Sequence, residues 1–200
     1  MDDWLESLDP DPLAVLGAWL GEAREAGLHE PEAAALATAT AEGVPSVRTV
    51  LVRGLDENGL RFYTNYESRK AGELALNPVA ALVFHWPPPL ERQVRVEGPV
   101  ERLDEASSLE YFASRPRGSR IGAWASPQST PVADRDELDQ RYRETEERFE
   151  GGDIPLPPHW GGYRLVPLAM ELWQGRPNRF HDRARYTRTD LVWSRVRLAP

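Results

Sequence analysis

The feature that most constrains the fold of this chain is a series of short apolar runs separated by turn residues. The run Arg92–Val100 alternates apolar and polar side chains, so Val94 and Val96 share one face of a strand. The segment Gly54–Gly59 is typical of a turn and separates two further runs, as in a hairpin. The chain lacks a regular succession of strand and helix. We therefore predict a mainly β, α+β fold, an antiparallel barrel with flanking helices, and not a doubly wound parallel sheet.

The same patterns locate the other elements. Further strands are predicted at Ala35–Thr40, Ser46–Arg53, Leu60–Thr64, Val79–His85, Tyr163–Trp173 and Leu191–Leu198, about six or seven in all. Helices are predicted at residues 11–26, 68–76, 104–114 and 133–149. The sequence has 200 residues and contains no internal repeat or linker, so we predict one domain over residues 1–200, with residues 1–10 as an N-terminal tail.

Charge and composition exclude several classes of function. The net charge is −8, which disfavours nucleic-acid binding because that requires a basic face. No apolar run approaches the ~18 residues of a membrane span, and the acidic opening Met1–Glu6 is unlike a signal peptide. The chain has no cysteine and its four histidines are far apart in sequence, so we predict no disulfide and no metal site. The cytoplasm is the expected compartment.

Three cationic segments suggest anionic ligands. The first, Tyr63–Lys70, runs from a strand end into a helix start, where free N–H groups and the helix dipole favour a phosphate. Within it, Ser68 offers a hydroxyl, Arg69 a bidentate fork and Lys70 a point charge. The alternative interpretation is a capped surface helix with two solvated cations.

The second segment, Arg115–Arg120, has three arginines in six residues. Tyr111 and Arg115 are four residues apart and would share a helix face, with Ser119 following in a glycine turn. This set could bind a second phosphate, although such a cluster also suits a solvated turn.

The third segment, Arg176–Arg185, holds four arginines against one aspartate and would create a local positive field in an acidic chain. It contains His181, and Trp173 lies just upstream, where it could stack on a planar ring or pack in the core. The alternative interpretation is an exposed loop that balances the acidic helix at residues 133–149.

Taken in order, the segments resemble the pyridoxamine 5′-phosphate oxidase family, FMN enzymes that produce pyridoxal 5′-phosphate. The matching pieces are Arg48–Val52, Phe62–Lys70, Glu91–Gly98, Tyr111–Ser119, Ile121–Ser129, Trp160–Arg164, Trp173–Gly175, Arg179–Arg183 and Arg197–Pro200. The resemblance implies an FMN-binding split β-barrel that works as a homodimer with FMN at the subunit interface. The implied substrate is a small phosphorylated pyridine.

The resemblance also assigns roles to residues. Cofactor-binding residues would be Arg48, Val50, Leu51, Arg53, Tyr63, Thr64, Ser68, Arg69, Lys70, Gln93, Gln128, Ser129, Trp173 and Arg183. Substrate-binding residues would be Arg53, Tyr111, Arg115, Ser119, Arg179 and His181, of which Arg179 and His181 would be catalytic. The implied reaction oxidises pyridoxine or pyridoxamine 5′-phosphate to pyridoxal 5′-phosphate, with O₂ as acceptor and H₂O₂ as product.

Departures from the family pattern keep two alternatives open. Arg53 stands where the family usually has Lys, and Phe180 where it commonly has Leu. The family's usual N-terminal extension is missing, which implies a more open site. These departures favour an alternative FMN-dependent oxidase of secondary metabolism that acts on a phenazine-type ring. The other alternative is a non-catalytic carrier of flavin or pyridoxal phosphate.

Overall fold

The computed structural model describes residues 3–200, which form six helices and nine strands. The helices are α1 (Trp4–Ser7), α2 (Pro12–Glu25), α3 (Arg69–Leu76), α4 (Glu105–Ser114), α5 (Arg117–Ala125) and α6 (Arg135–Arg148). The strands are β1 (Ala33–Ala39), β2 (Pro45–Asp56), β3 (Gly59–Asn65), β4 (Val79–Trp86), β5 (Arg92–Arg102), β6 (Trp160–Leu165), β7 (Ala169–Gln174), β8 (Asp182–Thr189) and β9 (Val192–Arg197). A 3₁₀ turn lies at Pro177–Arg179.

Six antiparallel strands close into a barrel. Their order is β4-β1-β2-β3-β6-β5, and a second pairing between β4 and β5 closes the ring. Side chains alternate between the two faces of each strand, and the inward ones, such as Leu36, Phe62, Phe84 and Leu165, are fully buried. The predicted mainly β barrel with flanking helices is confirmed.

The long strand β5 explains why the barrel is split. On one edge its residues Val100–Arg102 pair with β6, whereas Arg92–Glu97 pair with β7 on that same edge. The chain crosses between these partners at Val166–Leu168, close against Gly98, where a Cβ atom would lie 1.9 Å from the carbonyl oxygen of Val166. Strands β7, β8 and β9 then extend the sheet away from the barrel.

Several predicted boundaries were wrong. The segment Tyr163–Trp173 is two strands, because the crossing at Val166–Leu168 interrupts the ladder. The turn at Gly54–Gly59 is shorter, since β2 continues to Asp56 and β3 begins at Gly59. The strand β8 was missed because its sequence is dominated by arginines rather than by an apolar alternation. Nine strands therefore replace the predicted six or seven.

Helix α5 was also missed, and it changes the setting of the second cationic segment. The glycine turn predicted around Ser119 is instead the first turn of α5, which follows Pro116 directly. A small apolar cluster fixes α4 and α5 against β6, through Phe112, Ile121, Ile154 and Trp160. This second core positions the site described below.

The predicted N-terminal tail is docked on the C-terminal strands. The Tyr186 hydroxyl donates to the carbonyl oxygen of Asp9 at 2.9 Å, and Arg195 donates to that of Leu8 at 2.5 Å. Met1 and Asp2 of this segment lie outside the described residues. No helix within residues 3–200 is long and apolar enough to cross a membrane.

Candidate active site

A cavity of about 460 Å³ brings together ten of the residues predicted to bind cofactor or substrate. These are Val50, Leu51, Arg53, Tyr63, Thr64, Lys70, Tyr111, Arg115, Ser119 and Gln128. Strands β2 and β3 form one side, and α3 to α5 with the segment after α5 form the other. Larger cavities of about 510 and 640 Å³ lie along α6, but none of the predicted residues lines them.

Stacked aromatic rings form one wall of this cavity. The rings of Tyr63 and Tyr111 stack with centroids 3.9 Å apart, and Trp160 stacks on Tyr63 at 5.6 Å. Burial raises the pKa of Tyr63, so its phenol stays protonated at neutral pH. The wall is therefore rigid, neutral and suited to packing beside a planar ligand.

Arg115 lies beside the aromatic wall with an unpaired donor. Its guanidinium carbon is 4.7 Å from the centroid of Trp160, and its Nη1 atom is buried without a hydrogen-bond partner in the described chain. Burial lowers the pKa of Arg115, and the charge of Arg53 lowers it further. A buried, unpaired guanidinium donor costs free energy unless an anion accepts from it, so this end of the cavity fits a phosphate.

Arg53 reaches the cavity because the strand is irregular there. Val52 pairs with Phe62 and Gly54 with Arg61, which leaves Arg53 as the extra residue of a β-bulge. A Cβ atom on Gly54 would lie 2.4 Å from Nε of Arg61, so only glycine fits at this bulge without a shift.

Lys70 lies in the first turn of α3 and lines the same cavity. Its ammonium donates to Thr64 Oγ1 at 3.0 Å, to Gln128 Oε1 at 3.0 Å and to Ser68 Oγ at 3.3 Å. All three acceptors are neutral. Burial, helped by the charge of Arg48, lowers the pKa of Lys70 to about 8, so the site is short of a negative partner.

Four other residues predicted to bind the cofactor do not line the cavity. Ser68 is buried and donates to the carbonyl oxygen of Asn65 at 2.7 Å, whereas Ser129 is exposed with a positive φ of 71°. Arg48 and Arg69 do not line the cavity, and both bind the carboxylate of Glu73.

The remaining predicted residues form a second cluster on β5, β7 and β8. Gln93, Trp173 and Arg183 are direct partners across the three strands. The ring of His181 packs 4.6 Å from that of Trp173, and its Nδ1 accepts from the backbone N–H of Arg176 at 3.1 Å. Within residues 3–200, none of this cluster lines the 460 Å³ cavity.

The backbone beside this cluster is strained. Asn178 and Arg179 both have φ of 59°, the left-handed region that non-glycine residues seldom adopt. Arg179 and Phe180 are exposed, and Phe180 has 78% of its surface accessible. Such strain is common where a side chain is held out for a ligand.

Sequence reasoning missed several residues that shape the site. Thr49, Pro116 and Trp160 line the cavity, and Glu73, Thr38 and Ser46 surround Arg48. Trp160 opens the segment Trp160–Arg164, one of the pieces that carry the family resemblance, and this was a usable signal. Glu73 was detectable as an acidic residue one turn after Arg69 and Lys70.

Two family models match consecutive parts of this chain. Residues 20–149 match the model described as pyridoxamine 5′-phosphate oxidase. Residues 160–200 match the pyridoxine 5′-phosphate oxidase C-terminal dimerisation region. The second match covers β6 to β9, and therefore the cluster around Trp173 and Arg183.

Curated relatives match along almost the full chain. A pyridoxine/pyridoxamine 5′-phosphate oxidase of Rubrobacter xylanophilus is 56% identical over 98% of this chain and 89% of its own length. Enzymes of the same name from Salinibacter ruber and Crocosphaera subtropica are 54% and 50% identical, over 95% and 98% of this chain and 89% and 92% of their own lengths.

Solved structures share the architecture. PhzG from Burkholderia lata, in complex with tetrahydrophenazine-1-carboxylic acid, superimposes with a TM-score of 0.93 at 32% identity, covering 100% of this chain and 98% of its own. A pyridoxamine 5′-phosphate oxidase-related, FMN-binding protein from Nostoc punctiforme has a TM-score of 0.76 at 21% identity, covering 96% of this chain and all of its own. The second likeness bears on the fold alone.

Proposed function

The chain belongs to the pyridoxamine 5′-phosphate oxidase family, and we propose that it oxidises pyridoxine or pyridoxamine 5′-phosphate to pyridoxal 5′-phosphate with bound FMN. The observation that carries this proposal is a single cavity lined by two cationic groups, those of Lys70 and Arg115. Each of them lacks an anionic partner in the described chain. Two phosphorylated molecules, a flavin nucleotide and a pyridine phosphate, account for both.

The Lys70 end suits the flavin nucleotide. Lys70, Arg69 and Arg48 would hold its phosphate, with Gln128 and Ser129 beside it. Thr64 and Tyr63 on β3, with Val50 and Leu51 on β2, would line the flavin. The donors fit a phosphate because, within residues 3–200, the ammonium of Lys70 contacts neutral oxygens and makes no ion pair. A phosphate would supply the opposite charge.

The Arg115 end suits the substrate phosphate. The unpaired Nη1 of Arg115 would donate to it, with the hydroxyls of Tyr111 and Ser119 and the guanidinium of Arg53 close by. The rigid aromatic wall would orient the substrate and exclude water from that side of the cavity.

Bound FMN would supply the two-electron acceptor for the oxidation, with O₂ as the final oxidant and H₂O₂ as its product. The protein holds, orients and desolvates the substrate. His181 Nδ1 already accepts from the N–H of Arg176, so the neutral imidazole carries its proton on Nε2. That Nε2–H is free to donate to the substrate, and Arg179 would hold the substrate in place from its extended turn.

We propose that a second copy of the chain completes the site. Arg179, His181, Trp173 and Arg183 lie in the part of the chain that matches the dimerisation region, and none lines the cavity of its own chain. A homodimer could place this cluster of one protomer over the cavity of its partner. Each dimer would then contain two equivalent composite sites.

The second candidate is an FMN-dependent oxidase of a phenazine-type ring. The close superposition on PhzG favours it, together with Arg53 and Phe180. The identity of 32% to that protein, against 50–56% to the named pyridoxine/pyridoxamine 5′-phosphate oxidases, favours the first candidate. The cytoplasm stays the predicted compartment.

Steady-state turnover tests the proposal. The purified chain is loaded with FMN and offered pyridoxine 5′-phosphate and pyridoxamine 5′-phosphate separately, and both pyridoxal 5′-phosphate and H₂O₂ are measured. We expect stoichiometric formation of the two products from at least one substrate. Bound FMN without turnover of either substrate would refute the proposal and favour the phenazine-type oxidase.

A further inference from the structure

Glu73 on α3 is a buried carboxylate surrounded by donors. Only 6% of its side chain is accessible, yet it accepts four hydrogen bonds. Oε1 accepts from Arg69 Nε at 2.9 Å. Oε2 accepts from the hydroxyls of Thr38 and Ser46, the latter at 2.6 Å, and from Arg48 Nη2 at 3.2 Å. The carboxylate therefore joins β1, β2 and α3 at one point.

The two hydroxyls link Glu73 to Arg48 a second time. Arg48 Nη1 donates to Thr38 Oγ1, and Arg48 Nη2 donates to Ser46 Oγ. Each hydroxyl in turn donates a hydrogen bond to Glu73. Arg48 Nη1 also donates to the carbonyl oxygen of Leu36 at 3.3 Å. The Arg48 side chain is thus fixed before any ligand binds, and these four bonds leave its Nε–H to donate to a ligand.

We propose that Glu73 is a positioning residue that holds the guanidinium groups of Arg48 and Arg69 ready for the phosphate of the flavin nucleotide. This inference rests on the proposed function, which assigns that phosphate to Arg48, Arg69 and Lys70. Glu73 itself would not touch the phosphate.

Geometry and charge both support this role. A free arginine side chain loses rotamer entropy when a ligand fixes it, and holding it in advance removes that cost from binding. Arg69 binds Glu73 through Nε, so this bond uses neither of its Nη groups. The Arg69 side chain is 61% accessible, so a ligand can reach it. Arg48, Arg69 and Lys70 with Glu73 sum to a charge of +2, which matches a phosphate monoester of about −1.5 to −2.

Removing Glu73 has two opposing effects. The loss of a negative charge would by itself strengthen the attraction for a phosphate. Glutamine, however, offers one acceptor oxygen to four donors, and its amide N–H groups would face guanidinium or hydroxyl donors. We expect the loss of positioning to dominate, because the Glu73 carboxylate is buried and all four of its bonds are affected.

The experiment compares binding of FMN with binding of riboflavin, which lacks the phosphate. Apoprotein of wild type and of E73Q is titrated with each flavin, and dissociation constants are read from quenching of flavin fluorescence. E101Q serves as the matched control, because Glu101 also binds an arginine, Arg164 at 3.1 Å, but is exposed. Thermal unfolding of each apoprotein checks the fold.

For E73Q we expect FMN to bind about tenfold more weakly, as for the loss of one charge-assisted hydrogen bond, with riboflavin binding unchanged. E101Q should match wild type with both flavins. Equal weakening of FMN and riboflavin, unchanged FMN binding, or tighter FMN binding would each overturn the inference.

S46A keeps the test decisive if E73Q does not fold. It removes one hydroxyl between Arg48 and Glu73 and leaves all charges in place. We expect FMN to bind about threefold more weakly, a smaller loss than for E73Q because both charged partners remain, again without effect on riboflavin. If wild type, S46A and E73Q all bind FMN equally well, the inference about Glu73 is refuted and the proposed function is not. Wild type that does not bind FMN would refute the proposed function as well.

Discussion

Replacing Arg115 with methionine should make the protein more stable and its substrate binding weaker. Within residues 3–200, Arg115 has a buried Nη1 without a hydrogen-bond partner, and its charge is partly desolvated beside Trp160. An unpaired buried donor of this kind costs about 1–3 kcal/mol of folding free energy. A hydrophobic side chain of similar length avoids that cost and still packs on the aromatic wall.

The expected gain in folding free energy is the cost of the unpaired donor minus the contact that the substitution removes. The cation–π contact of Arg115 with Trp160, at 4.7 Å, contributes roughly 0.5–1 kcal/mol. Subtracting it from the cost of the unpaired donor leaves a net gain of about 1 kcal/mol. For a chain of this size that corresponds to a rise in Tm of about 2–4 °C.

The effect on substrate has the opposite sign. Loss of a charge-assisted bond to the substrate phosphate costs about 1.5–3 kcal/mol, so kcat/KM should fall roughly 10- to 150-fold. The assays are thermal unfolding of the apoprotein and steady-state formation of pyridoxal 5′-phosphate by the FMN-loaded enzyme. Arg135→Met is the control, because Arg135 is 79% accessible in its side chain and lies on α6. A fall in Tm with unchanged kcat/KM would refute the reasoning.

Three further predictions concern charge and catalysis. Burial and the charge of Arg48 lower the pKa of Lys70 to about 8, so Lys70 loses its charge above pH 8 and FMN affinity should fall. FMN titrations from pH 7 to 10 check this, and Lys70→Met should flatten the dependence of affinity on pH. Burial alone would raise the pKa of Glu73, but its four hydrogen bonds lower it to about 2, so its stabilisation is present above pH 4.5 and lost as pH falls toward 2. The Tm of the Glu73→Gln variant should therefore depend less on pH between 4.5 and 2 than that of wild type. Arg179→Ala should retain FMN, measured by flavin absorbance after gel filtration. Its turnover should fall at least about tenfold, because a contact that positions the substrate is lost. Unchanged turnover would show that Arg179 has no such role.

Local patterns in the sequence predicted most of the barrel. Period-two alternation located β5, and the break at Asn77-Pro78 marked the end of α3 correctly. The chain crossing at Val166–Leu168 was not predictable from local signals, because it depends on β5 changing partners along one edge. Strand β8 has an alternation too, but it buries only Ala184 and Tyr186, and the strand also contains three arginines, Arg183, Arg185 and Arg188.

The candidate site was predicted only in part, because local patterns reveal residues that cluster in the sequence and miss those that the fold brings together. Lys70, Tyr111 and Arg115 stood out because cationic and aromatic residues cluster in sequence, and the cavity unites them. The support beneath them involves residues far apart in the chain, such as Thr38 and Glu73, which only strand pairing brings together. The bulge that directs Arg53 into the cavity has no signal beyond the glycine that follows it.

Mixing two impaired variants tests most directly whether the site is built from two chains and performs the proposed oxidation. Arg115→Met removes a residue of the cavity, and Arg179→Ala a residue of the cluster assigned to the partner chain. In a mixed dimer one composite site carries both substitutions and the other carries neither. Unfolding and refolding equal amounts together with FMN should therefore restore about a quarter of wild-type pyridoxal 5′-phosphate formation, because half of the dimers are mixed. A mixture no more active than its two parent variants would contradict the account.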